Sequence, residues 1–173
     1  MENSANRDGY TVTFRVDRHR YSYRHLLLDR KVMPPIVQIQ VSRAPGDCAV
    51  VALAMYLGRP YEDVFAAAVS CTKNIIFHKT GMFWTQIHET AAVFGSTLRT
   101  RKMTKAHDLE TICGLLGLKA TTKREQHVVF VKAGLIFDTD GTVWEIETYL
   151  KHTKYKPLCL TTSEEEDIEC RST

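Results

Sequence analysis

The stretch "AVVALAMYL" at 49–57 is apolar in every direction around a helix axis, with no polar face at all. Asp47 ahead of it is a good N-cap, and Gly58 followed by Pro60 supplies a stop, so a helix is predicted over 48–57. Such a helix has no side to give to water and should sit at the centre of its domain. Residues 61–69, "YEDVFAAAV", follow Pro60 at a first-turn position and predict a second short helix. Trp84, Ile87, Ala91 and Phe94 recur at helical spacing and predict a third over 82–94, closed by Gly95.

Beyond Gly95 the period changes. Residues 96–103 alternate weakly and suit a strand, while "DLETICGLLGLKA" (108–120) reads either as a short helix capped by Asp108 or as a turn into a strand at 114–119. Two β-branched segments, 127–132 and 135–138, flank a short turn around Ala133 and Gly134, which is a hairpin signal. A brief helix at 145–152 and a last strand at 157–162 complete the series. A helical front half before an antiparallel back half predicts an α+β domain. Upstream, "YTVTFRV" (10–16) and "RYSY" (20–23) read as a peripheral hairpin, and Pro34 and Pro35 lead extended into "IVQIQV" (36–41). The expected organisation is an N-terminal extension over 1–33, a main domain over 34–162 and an acidic tail over 163–173.

Composition narrows the class. Of 173 residues, 44% are hydrophobic and 25% charged, which is ordinary for a globular domain and argues against disorder. A polar start and no long apolar run predict neither a signal peptide nor membrane insertion, which makes the cytoplasm the expected compartment. The five cysteines are an odd number without paired spacing, and they fit free thiols rather than a disulfide framework or a zinc site. The net charge of +3 hides a tail bearing Glu164, Glu165, Glu166, Asp167 and Glu169. The basic residues of the body are dispersed and carry no nucleic-acid motif, so no specific nucleic-acid partner is expected.

Candidate chemistry comes from three residues. In a hairpin with a Lys132–Ala133 loop, His127 lies opposite Asp138; with an Ala133–Gly134 loop it faces Asp140, and Asp138 is its diagonal neighbour on the same face. A three-residue loop would turn both carboxylates to the other face. A carboxylate beside an imidazole fixes its tautomer and orientation, as a general base requires. Cys48, on the first turn of the predicted central helix, sits where the macrodipole and backbone N–H groups favour thiolate, and its own N–H could donate to an oxyanion. Of the remaining cysteines, Cys71, Cys113 and Cys159 lack such a setting and read as packed thiols, Cys170 falls in the tail, and His88 reads as a boundary histidine. Trp84 and Trp144 read as core or groove walls, with Trp144 a substrate-cleft candidate.

"DCAVVALAMYLGRPYEDV", followed by "HVVFV" and "IFDTDG", resembles the papain-like cysteine peptidases of the C39-like group, most closely at 46–65 and 126–144. In that group a D-C-(G/A)-x-A-x-A-M helix carries the nucleophile, and two strands carry His and Asp. By position the resemblance implies Cys48 as nucleophile, His127 as general base and Asp138 as the orienting carboxylate. Asp140, before Gly141, suits a turn. It further implies a papain-like α+β fold, cleavage of a peptide or isopeptide amide through a thioester, a peptide or protein substrate, no metal or organic cofactor, and a phage or bacterial source. Two departures stand out. Ala49 replaces a common Gly, and Ser42 stands where the group usually has an oxyanion-hole Gln. Gln40 is the nearby oxyanion candidate; without it the transition state loses a donor worth roughly 3 kcal/mol. The rival readings are a transglutaminase-like acyltransferase, a cell-wall hydrolase and a non-catalytic papain-like module that binds a peptide or protein. Nothing in the sequence fixes the oligomeric state.

Overall fold

The structure, a computed structural model, describes residues 37–72, 81–103, 109, 112–121 and 126–163. The expected N-terminal hairpin and all of the acidic tail after Ser163 lie outside the described residues. What is described belongs to one unit of the chain, Pro35–Thr173.

Among the described residues three helices come first: α1 (Cys48–Leu57), α2 (Tyr61–Thr72) and α3 (Trp84–Val93). They are followed by β1 (Leu98–Lys102), β2 (Cys113–Ala120), β3 (Gln126–Lys132), β4 (Leu135–Phe137), β5 (Val143–Glu145), helix α4 (Ile146–Thr153) and β6 (Tyr155–Ser163). The strands make one sheet in the order β1-β6-β2-β3-β4-β5, and every neighbouring pair is antiparallel. This is the α+β pattern expected from the sequence.

α1 is buried from Ala49 through Met55, and Gly58 ends it in the left-handed conformation at φ 61°. Burying each of its larger aliphatic side chains stabilises the fold by about 1.5–3 kcal/mol, so the helix anchors the unit. α2 runs three residues beyond the predicted 61–69, and α3 is shorter than 82–94 at both ends. The ambiguous segment resolves as β2, a central strand between β6 and β3. Its residues from Gly114 to Leu118 are all buried, because both faces of the sheet are covered. A strand covered on both faces loses the alternation that would have marked it.

On one face Phe130 meets Tyr56 of α1 and Phe137 of β4, with ring centroids 6.2 and 5.4 Å apart. Trp84 lies over Gly117 on the same side: a Cβ at that glycine would fall 2.6 Å from the indole and 2.7 Å from Cys159 Sγ. On the other face Leu116, Leu118, Val129, Val131, Ile136 and Leu160 pack with Ile146 and Tyr149 of α4. The three-residue strand β5 had no separate signal in the sequence; it pairs Trp144 with Ile136 and closes that edge of the sheet.

The β3–β4 hairpin fixes the site. Phe130 pairs with Phe137 and Lys132 with Leu135, so the loop is Ala133–Gly134. Of the alternatives left open by the sequence, this register makes Asp138 the diagonal neighbour of His127 on one face.

Candidate active site

Cys48 opens α1, and the residue before it departs from expectation. Asp47 is fully buried, yet its carboxylate does not cap the helix. It turns back instead: Oδ2 accepts the backbone N–H groups of Arg43 at 2.9 Å and Ala44 at 3.1 Å and the Tyr61 hydroxyl at 3.0 Å, and Oδ1 accepts the Ser42 hydroxyl. An acidic side chain can serve the helix amides ahead or the loop amides behind, and here the loop offers more donors. Burial and the Asp47 charge push the Tyr61 phenol far above its ordinary pKa, so it remains a neutral donor. As a result, the amides of the first turn of α1 are not consumed by a side-chain cap. Cys48 is the first residue of that turn, at the end of the helix that favours negative charge.

His127 is the second residue of β3, with 19% of its side chain exposed. Its Nε2 lies 2.7 Å from Asp138 Oδ1, and the ring stacks on Tyr155 with centroids 5.7 Å apart. The Cys48 side chain is within hydrogen-bonding reach of the same imidazole. With Nε2 engaged by the carboxylate, the ring nitrogen left for sulfur is Nδ1. Burial works against the imidazolium, but the hydrogen bonds and charge of Asp138 and then Cys48 outweigh it and hold His127 up at about 10.

Asp138 follows β4 in a tight turn, where its N–H donates to Thr142 O at 2.9 Å and its carbonyl accepts Gly141 N–H at 3.1 Å. Besides His127, the carboxylate accepts the Thr139 N–H on Oδ1 at 2.6 Å and the Tyr149 hydroxyl on Oδ2 at 2.7 Å. Burial alone would raise its pKa. The hydrogen bond and charge of His127, followed by Tyr149 and Thr139, reverse the sign and hold it below the usual carboxylate range. Asp140 is exposed and gives its carboxylate to the Thr142 N–H at 2.8 Å, a turn role.

Gln40 is not brought to Cys48. Its Nε2 donates to the carbonyl of Arg59 at 2.5 Å, beyond the C-terminal end of α1. A helix of 10 residues is about 15 Å long, and the thiol is at its other end. The expectation of an oxyanion role for Gln40 is therefore corrected: the segment ahead of α1 runs beside the helix, and the loop to Asp47 carries the chain back to its start. The Ser42 hydroxyl is likewise turned to the Asp47 carboxylate and, at 3.1 Å, the Ala44 carbonyl. Trp144 is half-buried, donates from Nε1 to Thr142 Oγ1 at 2.8 Å, stacks on His152 and meets Tyr149 edge-on. His88 bonds Thr100 Oγ1 at 2.8 Å, away from the site, and Cys159 is a buried thiol that burial pushes up to about 11.

Tyr149 and the orientation of Asp47 were missed by sequence reasoning. A signal for Tyr149 did exist: with Ile146 it forms the buried face of α4, and a buried phenol needs an acceptor. Only the tertiary fold names that acceptor.

No protein-family model and no curated protein matches the chain. Among solved structures it is similar to the peptidase domain of Streptococcus ComA, a bi-functional ABC transporter involved in a quorum-sensing pathway, at 16% identity and a TM-score of 0.48, covering 74% of this chain and 98% of that one. It is also similar to the peptidase domain of Streptococcus mutans ComA, at 18% identity and a TM-score of 0.44, covering 73% and 97%. No helix among the described residues is long and apolar enough to cross a membrane.

Proposed function

We propose that the chain is a papain-like thiol hydrolase acting on an amide bond of a peptide or protein. The observation that carries this reading is the Asp138 carboxylate 2.7 Å from His127 Nε2, with the Cys48 side chain close enough to the same imidazole to help hold its charge. His127 takes the thiol proton, the Cys48 thiolate attacks the acyl carbon, and the imidazolium returns the proton to the leaving nitrogen, giving a thioester. Water, deprotonated by His127, then releases the acid. Asp138 holds the ring through both steps. The oxyanion falls to backbone N–H groups at the start of α1, because Gln40 and Ser42 are turned elsewhere. A hole without a side-chain donor predicts slow turnover from a reactive thiol.

The position of Gln40 also favours a second reading, a papain-like module that binds a peptide or protein without cleaving it. The test is the rate of Cys48 alkylation by iodoacetamide against pH, in the parent and in His127→Ala. An inflection well below pH 8 that rises without His127 supports the thiolate–imidazolium pair. An inflection near 8.5 in the parent, or no reaction with the native protein, sinks the hydrolase reading in favour of the binding module.

A further inference from the structure

The Asp138 carboxylate is held by groups from three parts of the chain: His127 on β3, the Thr139 amide in the adjoining turn, and the Tyr149 hydroxyl on α4. Tyr149 is the long-range contributor among the latter two. Its side chain is 1% exposed, its ring stacks on Tyr155 at 6.4 Å, and Tyr155 in turn stacks on His127. The ring is thus held by Tyr155 on one face and by the edge contact with Trp144, and the phenol can meet its hydrogen-bond requirement by donating to Asp138. Oδ1 is the oxygen that faces the imidazole, and Oδ2 is the one that Tyr149 holds.

We infer that Tyr149 is a positioning residue of the site, its hydroxyl holding Asp138 so that Oδ1 stays aimed at His127 Nε2 and the carboxylate stays ionised. This rests on the thiol reading above and adds a residue outside the Cys48, His127 and Asp138 set. The role is positioning because the hydroxyl acts through Asp138 and does not meet the sulfur or the imidazole. If it is absent, Oδ2 faces an apolar ring in a buried place, where an anion loses solvation and gains nothing in return. The carboxylate then rotates toward another donor or takes a proton at higher pH, and its hold on the imidazolium weakens in either case.

The test is Tyr149→Phe, which keeps the ring and its stacking, read by the pH profile of Cys48 alkylation alongside urea unfolding. The expected result is an upward shift of the thiol inflection by roughly half to one pH unit, equivalent to about 3–10-fold slower alkylation on the acid side. A Tyr149→Phe protein that unfolds at lower urea but keeps the parent inflection overturns the inference and leaves Tyr149 as packing. The underlying reading fails by a different observation, the absence of a low inflection in the parent itself.

Discussion

The backbone N–H of Ser42 donates to the carbonyl oxygen of Thr139 at 2.7 Å. This bond ties the loop that leads into Cys48 to the turn that carries Asp138. On one side of it the Asp47 carboxylate gathers residues 42–44, and on the other the Thr139 amide holds Asp138 Oδ1. The neighbouring residues are also close, since a Cβ on Gly141 would lie 3.2 Å from Val41 Cγ2. Two buried or half-buried carboxylates thus organise the halves of one site.

Asp47→Asn tests the loop half. An amide presents both a donor and an acceptor to a place built from donors, so stability should fall by about 2–4 kcal/mol in urea unfolding. A loss below about 1 kcal/mol would show that the loop holds without the carboxylate.

The charge on His127 makes stability depend on pH with a definite sign. Its folded pKa, about 10, lies above the unfolded value near 6.5. Its contribution is therefore fully present below about 6.5 and is lost as pH rises through about 10. The stability gap between the parent and His127→Ala should shrink steadily across that window, as measured by urea midpoints from pH 6 to 10. A gap that widens with pH would reverse the assignment.

Asp138→Asn removes the strongest support for that charge. The His127 ring, followed by NMR of carbon-labelled histidine, should titrate well below 10, with burial left to pull it down. An unmoved titration would place its cause elsewhere.

Gln40→Ala should cost less than about 1 kcal/mol, since it breaks one hydrogen bond at an exposed carbonyl. It should leave the rate and pH profile of Cys48 alkylation as in the parent. Where an acyl substrate is found, its turnover should not change either. A large drop in turnover would mean that Gln40 swings to the thiol during reaction.

Gly117→Ala should destabilise by about 1–3 kcal/mol, because the new methyl overlaps the Trp84 indole and Cys159 Sγ. Adding Trp84→Phe should recover part of the loss in a double-mutant cycle. Additive losses would place the strain outside that contact.

How far the sequence led depends on how local each signal was. α1 was legible because an unbroken apolar run and Gly58 fix both its burial and its end, and the His127–Asp138 relation was legible because strand pairing allows few registers. β2 was ambiguous for the reason that makes it central: covered on both faces, it shows no alternation. The turning back of Asp47 depends on Tyr61, fourteen positions later, and the role of Tyr149 depends on α4 crossing the sheet. Gln40 misled because closeness along the chain was taken as closeness in space, while the loop at 41–47 separates the two.

α1 lacks a solvent-facing side, and this sets how Cys48 is reached. A helix with water along one flank can fray and offer its side chains to any passing reagent, but α1 is buried from Ala49 through Met55 and has no such flank. Opening it means dismantling the core on that face of the sheet, which costs close to the whole stability of the unit. Chemistry at the sulfur in the native protein must therefore enter at the first turn, past His127, and destruction of that chemistry by heat or denaturant should coincide with the cooperative melting of the unit and not precede it.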